Sequence, residues 1–181
     1  MRPLPLAVLF DRDGTLVVDV PYNADPALVQ PVPQARESLD RVRTRGIAVG
    51  VVSNQSGVAK GLITPEQLVQ VNARVAELLG PFDTWQSCPH DAAYGCGCRK
   101  PAPGMVLAAA AELGVRPEDC VVIGDIGADV GAALGAGARA VLVPTPTTRA
   151  EEVEHAREFA AVAPNLAAAV ALVLDGQEAA R

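Results

Sequence analysis

Short apolar runs alternate with longer segments of helical periodicity along this chain of 181 residues. Runs of four to eight aliphatic residues between turn residues are typical of buried strands. They predict strands at 7–10, 47–52, 82–87, 120–123 and 140–143. The intervening segments predict helices at 33–45, 65–79, 103–113 and 128–136. After residue 143 a charged stretch predicts another helix, and "APNLAAAVALVL", with Asn165 as N-cap, predicts a last helix that closes the sheet.

This alternation of strands and helices predicts a fold class. Strands separated by helices form a parallel sheet with helices on both faces, and right-handed connections place the loops that follow the strands at one edge. We therefore expect an α/β protein, a Rossmann-like three-layer sandwich with a mostly parallel central sheet. The predicted elements use up the segments between the polar motifs, so we expect one domain over 1–181 and no large cap domain.

Composition and charge restrict the function further. Half of the residues are hydrophobic but only 3% are aromatic, which suits a core of Val, Leu, Ile and Ala around a parallel sheet. The formal charge of −6 argues against a broad surface for nucleic acid or anionic membrane. The opening residues lack the apolar run of a signal peptide, and no stretch is long and apolar enough to span a membrane. We expect a cytoplasmic monomer with a small-molecule substrate and no membrane or nucleic-acid partner.

Polar residues follow three of the predicted strands. Asp11 and Asp13 stand in "VLFDRDGTLV", "SN" follows the second strand, and Asp125 and Asp129 follow "CVVIG". An isolated Asp-Gly pair is more often only a turn. Three such clusters at the carboxyl edge of one sheet, where ligands bind in this kind of fold, predict a functional site.

The spacing of the first two acids indicates a chemistry. A carboxylate can attack phosphorus and form an aspartyl-phosphate, provided that a cation screens it from the phosphate charge. Mg²⁺ suits this role because it prefers carboxylates, water and substrate oxygens. Asp11 is then nucleophile and metal ligand, and Asp13 gives a proton to the leaving oxygen and takes one from water. Gly14 allows a tight turn beside them.

Four segments in chain order resemble the motifs of the haloacid dehalogenase superfamily of phosphohydrolases. They are "DRDGTLV" at 11–17, "VVSNQSG" at 51–57, Lys100 in "CRKPAPGM", and "GDIGAD" at 124–129. The resemblance implies that Asp125 binds Mg²⁺ together with Asp11 and the backbone carbonyl of Asp13. It also implies that Ser53 and the amides near Asn54 hold the phosphoryl oxygens, that Lys100 neutralises their charge, and that Asp129 acts from outside the metal's ligand set. Gln55 and Ser56 are included among the expected substrate-binding residues.

A second motif, "CPHDAAYGCGC", presents Cys88, His90, Cys96 and Cys98 within eleven residues. Four sulfur and nitrogen ligands fill a tetrahedral Zn²⁺ site and leave no position open, which predicts a structural metal. Unliganded reduced cysteines or a disulfide are the alternatives. We expect the metal to order this zinc loop, residues 88–98, and thereby to position Lys100. Cys120 is expected to be a small core residue.

The zinc loop followed by "CRKP" resembles the zinc-containing branch of the superfamily, which includes heptose bisphosphate phosphatases and histidinol-phosphate phosphatases. By that resemblance Asp19 and Tyr22 in "DVPYN" approach the substrate, although Pro21-Tyr22 is equally explained as a plain turn. Arg99 matches the position that recognises the distal end of the substrate, such as a second phosphate; a surface arginine is the alternative.

One departure from the heptose bisphosphatase pattern concerns the fourth motif, where Ile126 and Ala128 replace a usual lysine and acid. A cation expected to bind the substrate is therefore missing. The sequence favours a Mg²⁺-dependent phosphomonoesterase that removes the 7-phosphate of a heptose 1,7-bisphosphate. The alternatives are a phosphatase for histidinol phosphate or another sugar or polyol phosphate, a phosphotransferase, and a catalytically silent zinc-loop binding module. His155, among acidic residues of the charged helix, is expected to be a solvated surface residue.

Overall fold

A parallel sheet forms the centre of the molecule. The computed structural model describes residues 3–176, and within that range the sheet has six strands. They are β1 (Ala7–Phe10), β2 (Ala48–Asn54), β3 (Thr84–Cys88), β4 (Cys120–Gly124), β5 (Arg139–Leu142) and β6 (Ala161–Val162). All neighbouring pairs are parallel, which confirms the predicted sheet.

The strand order is β3-β2-β1-β4-β5-β6. The chain moves outward from β1 through β2 to β3, and then returns to the other side of β1 to build β4 to β6. The order reverses between β1 and β4, where Phe10 is in register with Ile123. Loops after these two strands diverge to opposite faces, so this reversal opens a crevice at the carboxyl edge, where doubly wound sheets bind ligands.

Helices cover both faces of the sheet. They are α1 (Ala35–Arg43), α2 (Pro65–Leu79), α3 (Gly104–Leu113), α4 (Gly127–Ala136), α5 (Ala150–Phe159) and α6 (Leu166–Leu174). Side chains alternate along β1: Val8 and Phe10 pack in one core with α1, α2 and α6, whereas Ala7 and Leu9 pack in a second core with α3, α4 and α5. The result is the expected three-layer, Rossmann-like sandwich.

The predicted elements agree with the structure within two residues at each end. Helix α2 begins after Thr64, whose side chain and that of Gln67 form a capping box. Asn165 caps α6 by accepting a hydrogen bond from the amide of Ala168. Strand β6, Ala161–Val162, was not predicted, since two apolar residues between helical segments carry no period that sequence reasoning can detect.

Loops rather than a cap domain lie above the carboxyl edge. The segment between β1 and α1 contains only a 3₁₀ turn at Pro26–Leu28, and the segment between β3 and α3 contains another at Ala92–Tyr94. No large cap is therefore present within residues 3–176, as expected. Over the same residues, none of the helices has the length and apolar character needed to cross a lipid bilayer.

Candidate active site and metal cluster

The ends of β1 and β4 bring three buried carboxylates together. Asp11 follows β1, Asp125 follows β4, and Asp129 lies in the first turn of α4. One oxygen from each lies within 4.8 Å of the others. The parallel pairing of β1 and β4 explains this meeting, because it sets the two strand ends side by side. Asp13, the other predicted acid of the first motif, directs its carboxylate elsewhere.

Lys100 enters the same cluster from the loop before α3. Its Nζ donates hydrogen bonds to Asp11 Oδ1 at 2.8 Å, to Asp129 Oδ1 at 2.6 Å and to the carbonyl of Val52 at 2.7 Å. The side chain is buried, with 3% of the residue exposed. A buried ammonium needs such partners, and here they fix the amine beside the predicted nucleophile.

Burial and charge together shift the pKa values of this cluster. Burial raises the pKa of Asp11 well above its ordinary value, opposed by Lys100 and reinforced by Asp129 and Asp125. Burial, with Asp129 nearby, also raises the pKa of Asp125 to about 6. For Lys100 burial alone would lower the pKa, but the charges of Asp11 and Asp129 outweigh it and raise the pKa. The cluster therefore holds more carboxyl groups than its one lysine can neutralise, and burial opposes their ionisation.

Asp129 anchors the loop at the start of α4. Its Oδ2 accepts hydrogen bonds from the amides of Asp125 and Ile126, both at 3.1 Å, while Oδ1 is held by Lys100. Thr148 supports the same loop from the β5–α5 connection, where its hydroxyl donates to the carbonyl of Asp125 at 2.7 Å. The two oxygens of Asp129 are thus engaged with protein groups, which fits the expected role outside a metal's ligand set.

Two glycines allow the carboxylates to pack so closely. Gly14 has φ +85°, and a Cβ at this position would lie 2.5 Å from Asp125 Oδ2. At Gly124 a Cβ would overlap the carboxyl group of Asp129. A side chain at either position would displace an acid of the site, so both glycines are required by the close approach.

The carboxylate of Asp13 lies at the edge of the cluster and is held by two neighbours. Arg12 donates from Nε to Oδ1 at 3.0 Å and from Nη2 to Oδ2 at 2.9 Å. Gln55 donates from Nε2 to Oδ2 at 2.8 Å and, through the same nitrogen, to Ser53 Oγ at 2.8 Å. About a quarter of the Asp13 side chain remains exposed, enough to meet a substrate.

The residues at the end of β2 and just after it make different contacts. Ser53 is buried, and Ser56 lines the cavity described below. The side chain of Asn54 instead closes on the backbone of Lys100: its Oδ1 accepts from the Lys100 amide at 3.0 Å, and its Nδ2 donates to the Lys100 carbonyl at 3.1 Å. The peptide bond from Lys100 to Pro101 is cis. Asn54 therefore holds the backbone of Lys100 and also lies in the lining of the cavity.

A cavity of about 330 Å³ opens over this cluster. Its lining comprises Asp11, Arg12, Asp13, Asp19, Val20, Pro21, Tyr22, Asn23, Asn54, Gln55, Ser56, Gly57, Lys100, Asp125, Ile126 and Thr147. This size lies at the lower end of the range for small-ligand sites, which suits a phosphate ester that extends partly into solvent. Lys60, assigned no role from the sequence, donates from Nζ to the hydroxyl of Tyr22 at 2.6 Å.

Arg99 is placed apart from the lining of this cavity. It contributes to an adjacent cavity of about 260 Å³, formed with the zinc loop and sharing Lys100. Its Nη1 donates to the carbonyl of His90 at 3.2 Å. Ile126, by contrast, lines the main cavity directly. The predicted distal contact, Arg99, and the position that lacks a cation, Ile126, therefore line two adjacent cavities.

The acidic cluster fits a divalent cation by its charge. When ionised, Asp11, Asp125 and Asp129 set three negative charges against one positive charge on Lys100, while Asp13 is paired with Arg12. Two negative charges remain, and carboxylate oxygens are the donors that Mg²⁺ prefers. Burial is the main cause of the raised pKa of Asp125, and the neighbouring carboxyl group of Asp129 adds to it.

The four predicted zinc ligands form one cluster after β3. Their ligand atoms approach to 3.1 Å for Cys98–Cys88, 3.3 Å for Cys98–Cys96, and 3.6 Å for Cys88–Cys96, with His90 Nδ1 at 3.4 Å from Cys98 and 3.6 Å from Cys88. Zn–S bonds of about 2.3 Å place tetrahedral sulfur ligands about 3.8 Å apart, so the donors lie near a zinc arrangement. These cysteines and Cys120 are free thiols, and Cys120 is buried in the core as predicted.

Comparisons with known proteins agree with this geometry. A family model described as HAD-hydrolase-like matches residues 97–169. The D-glycero-β-D-manno-heptose-1,7-bisphosphate 7-phosphatase of Pseudomonas putida is 35% identical over 147 residues, which cover 76% of this chain and 82% of that protein. The protein of the same name from Photorhabdus laumondii is 35% identical over 162 residues, covering 83% of this chain and 86% of that protein.

Solved structures resemble the whole fold. The crystal structure of D,D-heptose 1,7-bisphosphate phosphatase from B. bronchiseptica, complexed with magnesium and phosphate, aligns with a TM-score of 0.77 and 26% identity over 94% of this chain and 99% of that chain. A HAD-like phosphatase from Mesorhizobium loti aligns with a TM-score of 0.71 and 30% identity, over 95% of this chain and 88% of that chain.

Proposed function

Since this chain belongs to the haloacid dehalogenase superfamily and, within it, to the family of heptose bisphosphate phosphatases, we propose that it removes the 7-phosphate of D-glycero-D-manno-heptose 1,7-bisphosphate. Its general activity as a phosphatase follows from that membership. The observation that carries the proposal is the convergence of Asp11, Asp125 and Lys100 at the floor of one cavity. Nucleophile, metal donor and phosphate-binding cation are thereby within reach of one phosphoryl group.

The proposed reaction runs through a covalent aspartyl-phosphate. A carboxylate oxygen of Asp11 attacks phosphorus, the bond from phosphorus to the sugar oxygen breaks, and Asp13 gives that oxygen a proton. A water molecule then attacks the phosphorus of the intermediate and gives a proton to Asp13. This step releases phosphate and restores Asp11. Throughout, the ammonium of Lys100 and the hydroxyl of Ser53 hold the phosphoryl oxygens.

We propose Mg²⁺ as the catalytic cofactor, held by Asp11, Asp125 and the backbone carbonyl of Asp13. When bound, it screens the attacking carboxylate from the phosphate and stabilises the charge that develops on the transferred group. Asp129 keeps its place beside Lys100 and the loop amides. The two uncompensated charges of the cluster and its carboxylate donors support this assignment.

We propose Zn²⁺ as a structural metal in the loop 88–98. Its donors, three thiols and an imidazole, use every position of a tetrahedral ion, so no site remains for a reacting water. Cys98 stands two residues before Lys100, and the loop carbonyls of Cys88 and Pro89 accept hydrogen bonds from the amides of Gln55 and Ala59. The loop thus links the metal to the backbone around the phosphate site.

A phosphate-release screen tests the substrate. Heptose 1,7-bisphosphate, the corresponding heptose monophosphates, histidinol phosphate and other sugar and polyol phosphates are compared as kcat/KM with Mg²⁺ present. We expect the bisphosphate to be preferred and free heptose 1-phosphate to be the product. A higher value for histidinol phosphate or a polyol phosphate would reassign the substrate. Phosphate recovered on an added sugar instead of water would indicate a phosphotransferase.

Arg99 and Ile126 test recognition of the second phosphate. If Arg99 meets the phosphate that is not transferred, Arg99→Ala should lower kcat/KM for the bisphosphate by roughly tenfold or more and leave the monophosphate almost unchanged, because a charge-assisted hydrogen bond contributes about 1.5–3 kcal/mol. Ile126→Lys, a change in the lining of the main cavity, should increase the preference for the bisphosphate. Equal rates for mono- and bisphosphate in the wild type, unchanged in Arg99→Ala, would reject the bisphosphate assignment.

A further inference from the structure

Arg12 is a buried charge for which the reaction proposed above has no use. Only 1% of the residue is exposed, and it is the largest of the fully buried side chains in residues 3–176. A guanidinium is costly to bury unless charged and hydrogen-bonding partners surround it. Arg12 stands directly between Asp11 and Asp13 in the chain, so its contacts with these two acids bear on its role.

The partners of Arg12 form a chain that ends at Asp13. Nε and Nη2 donate hydrogen bonds to the two oxygens of the Asp13 carboxylate at 3.0 and 2.9 Å. On the far side, Nη1 donates to Asn72 Oδ1 at 2.7 Å. Asn72 lies on α2 and is half-buried, outside the cavity lining. The guanidinium is therefore fixed at both ends, by a helix on one side and by the acid on the other.

A bidentate pair of hydrogen bonds from an arginine fixes the orientation of a carboxylate. The planar fork of an arginine matches the two oxygens of a carboxylate in one orientation, whereas a lysine offers a single charge without that geometry. Gln55 adds a third contact at Oδ2. With these contacts the carboxylate plane of Asp13 is set before any substrate arrives.

We propose that Arg12, itself held by Asn72, is a positioning residue that orients the Asp13 carboxylate for proton transfer to the leaving oxygen and from the attacking water. This inference rests on the proposed function, in which Asp13 is the acid and base. Arg12 gives up no proton and touches no reacting atom. Loss of the contact from Arg12 should therefore slow each step of the reaction according to how much that step depends on proton transfer by Asp13.

Two classes of ester separate this role from a general structural one. A sugar phosphate has a poor leaving group, so cleavage of its phosphorus–oxygen bond requires the proton from Asp13. The p-nitrophenolate of p-nitrophenyl phosphate leaves unaided, so formation of the aspartyl-phosphate from this ester does not require that proton. Loss of orientation at Asp13 should slow cleavage of the first ester selectively, and should slow hydrolysis of the intermediate formed from either.

The experiment uses Asn72→Ala and Arg12→Lys in the full-length, Mg²⁺-loaded enzyme. For the best sugar phosphate of the substrate screen, we expect kcat to fall at least tenfold with KM within threefold of wild type. For p-nitrophenyl phosphate, the first-turnover burst of p-nitrophenol should change less than threefold, and the phosphorylated protein should accumulate in an intact-mass spectrum. Asn72→Asp keeps the acceptor oxygen and should restore most of the sugar phosphate rate.

Arg74→Ala is the matched control, since Arg74 lies on the same helix and pairs with Glu77. It should leave both rates unchanged. Equal losses in the rate of aspartyl-phosphate formation from both esters in Asn72→Ala, or full activity with both, would overturn the positioning role. Asn72 is half-buried, so this variant should fold even if Arg12→Lys does not. Failure of the proposed function looks different: the wild type would then release no phosphate with Mg²⁺, or Asp13→Asn would keep wild-type rates.

Discussion

The acidic cluster and the zinc loop are two polar centres that adjoin at Lys100, two residues after Cys98, and they are built in opposite ways. Asp11, Lys100 and Asp125 come from distant parts of the chain and meet because the sheet brings them together. The proposed zinc ligands all lie within residues 88–98 and meet because the loop folds on itself. In the first centre the protein supplies its own counter-charge; in the second, the thiols have chiefly one another as partners.

This difference indicates how each centre should respond when its metal is lost. The acidic cluster is held by the sheet, by Lys100 and by backbone amides, so loss of Mg²⁺ should stop turnover without unfolding the site. The zinc loop contains only a single 3₁₀ turn, so its metal should contribute directly to its stability. The four predictions that follow test this contrast, from the largest expected effect to the smallest.

Asp11→Asn should produce the largest effect, confined to chemistry. An amide is a poor nucleophile and a weaker ligand, so phosphate release should fall by roughly 10⁴-fold or more. Far-ultraviolet circular dichroism and zinc content should match the wild type, because the loop does not depend on this acid. Substantial Mg²⁺-dependent turnover by a folded, deamidation-free variant would reject Asp11 as nucleophile.

Lys100→Met should destabilise the protein as well as inactivate it. The change leaves Asp11 and Asp129 buried without their cation, which costs about 3–5 kcal/mol in comparable buried pairs. Urea unfolding of the Mg²⁺-free protein measures the loss, and added Mg²⁺ should recover part of it. Lys60→Met, at an exposed lysine, is the control and should change stability little. A loss below about 1 kcal/mol in Lys100→Met would mean that the acids do not depend on internal neutralisation.

Cys96→Ser tests the other centre. The wild type should contain about one zinc per chain when purified reduced and without chelator, and the variant much less. Removal of a structural ligand should lower Tm by roughly 5–10 °C, equivalent to about 2–3 kcal/mol for a chain of this length. Cys120→Ala is the control, since Cys120 lies in β4 outside the cluster, and should keep its zinc. Zinc-free wild-type protein would remove the structural metal from the proposal.

The pH dependence of stability should show the burial and crowding of the carboxyl groups in the acidic cluster. The pKa of Asp125 is raised from its ordinary value of 3.8 to about 6, so the folded protein binds this proton more tightly than the unfolded chain does. Stability of the Mg²⁺-free protein should therefore fall as pH rises from about 4 to about 6, by on the order of 2–3 kcal/mol.

Unfolding in urea at several pH values, in Mg²⁺-free buffer without chelator, measures this loss. Asp125→Asn should flatten the profile, and saturating Mg²⁺ should do the same in the wild type, because it replaces the proton. Asp40→Asn, at an exposed carboxylate whose pKa is lowered by hydrogen bonds from Arg43 and Arg36, should leave the loss in place. A wild-type profile that rises between pH 4 and 6 would contradict the raised pKa of Asp125.

Much of the fold and the floor of the site could be predicted from the sequence. Apolar period and turn residues located β1, β2 and β4, and parallel pairing then required Asp11 and Asp125 to meet. The same reasoning placed the zinc ligands together, because residues so close along the chain need only a tight loop. In both cases the path of the backbone determines which residues meet, and the pattern of residue types along the chain predicts that path.

The direction of individual side chains could not be predicted. Asn54 follows β2 as expected, yet its side chain turns to the Lys100 backbone. Arg99 faces the zinc loop because the carbonyl of His90 offers an acceptor there. Arg12 stands between the two acids of the first motif, but its partner Asn72 is sixty residues away, so no sequence pattern indicates their contact. One signal existed for Asn72: it is a polar residue beside the buried positions Val71 and Val75 of α2.

The paired hydrogen bonds between Asn54 and the backbone of Lys100 give the lysine proposed to bind phosphate a second support. Its main chain is attached to the zinc loop through Cys98 and independently to β2 through Asn54. Loss of one of these two attachments leaves the other in place. An enzyme that loses its zinc should therefore bind phosphate less tightly while still presenting the lysine, so metal scarcity would weaken this catalyst gradually instead of switching it off.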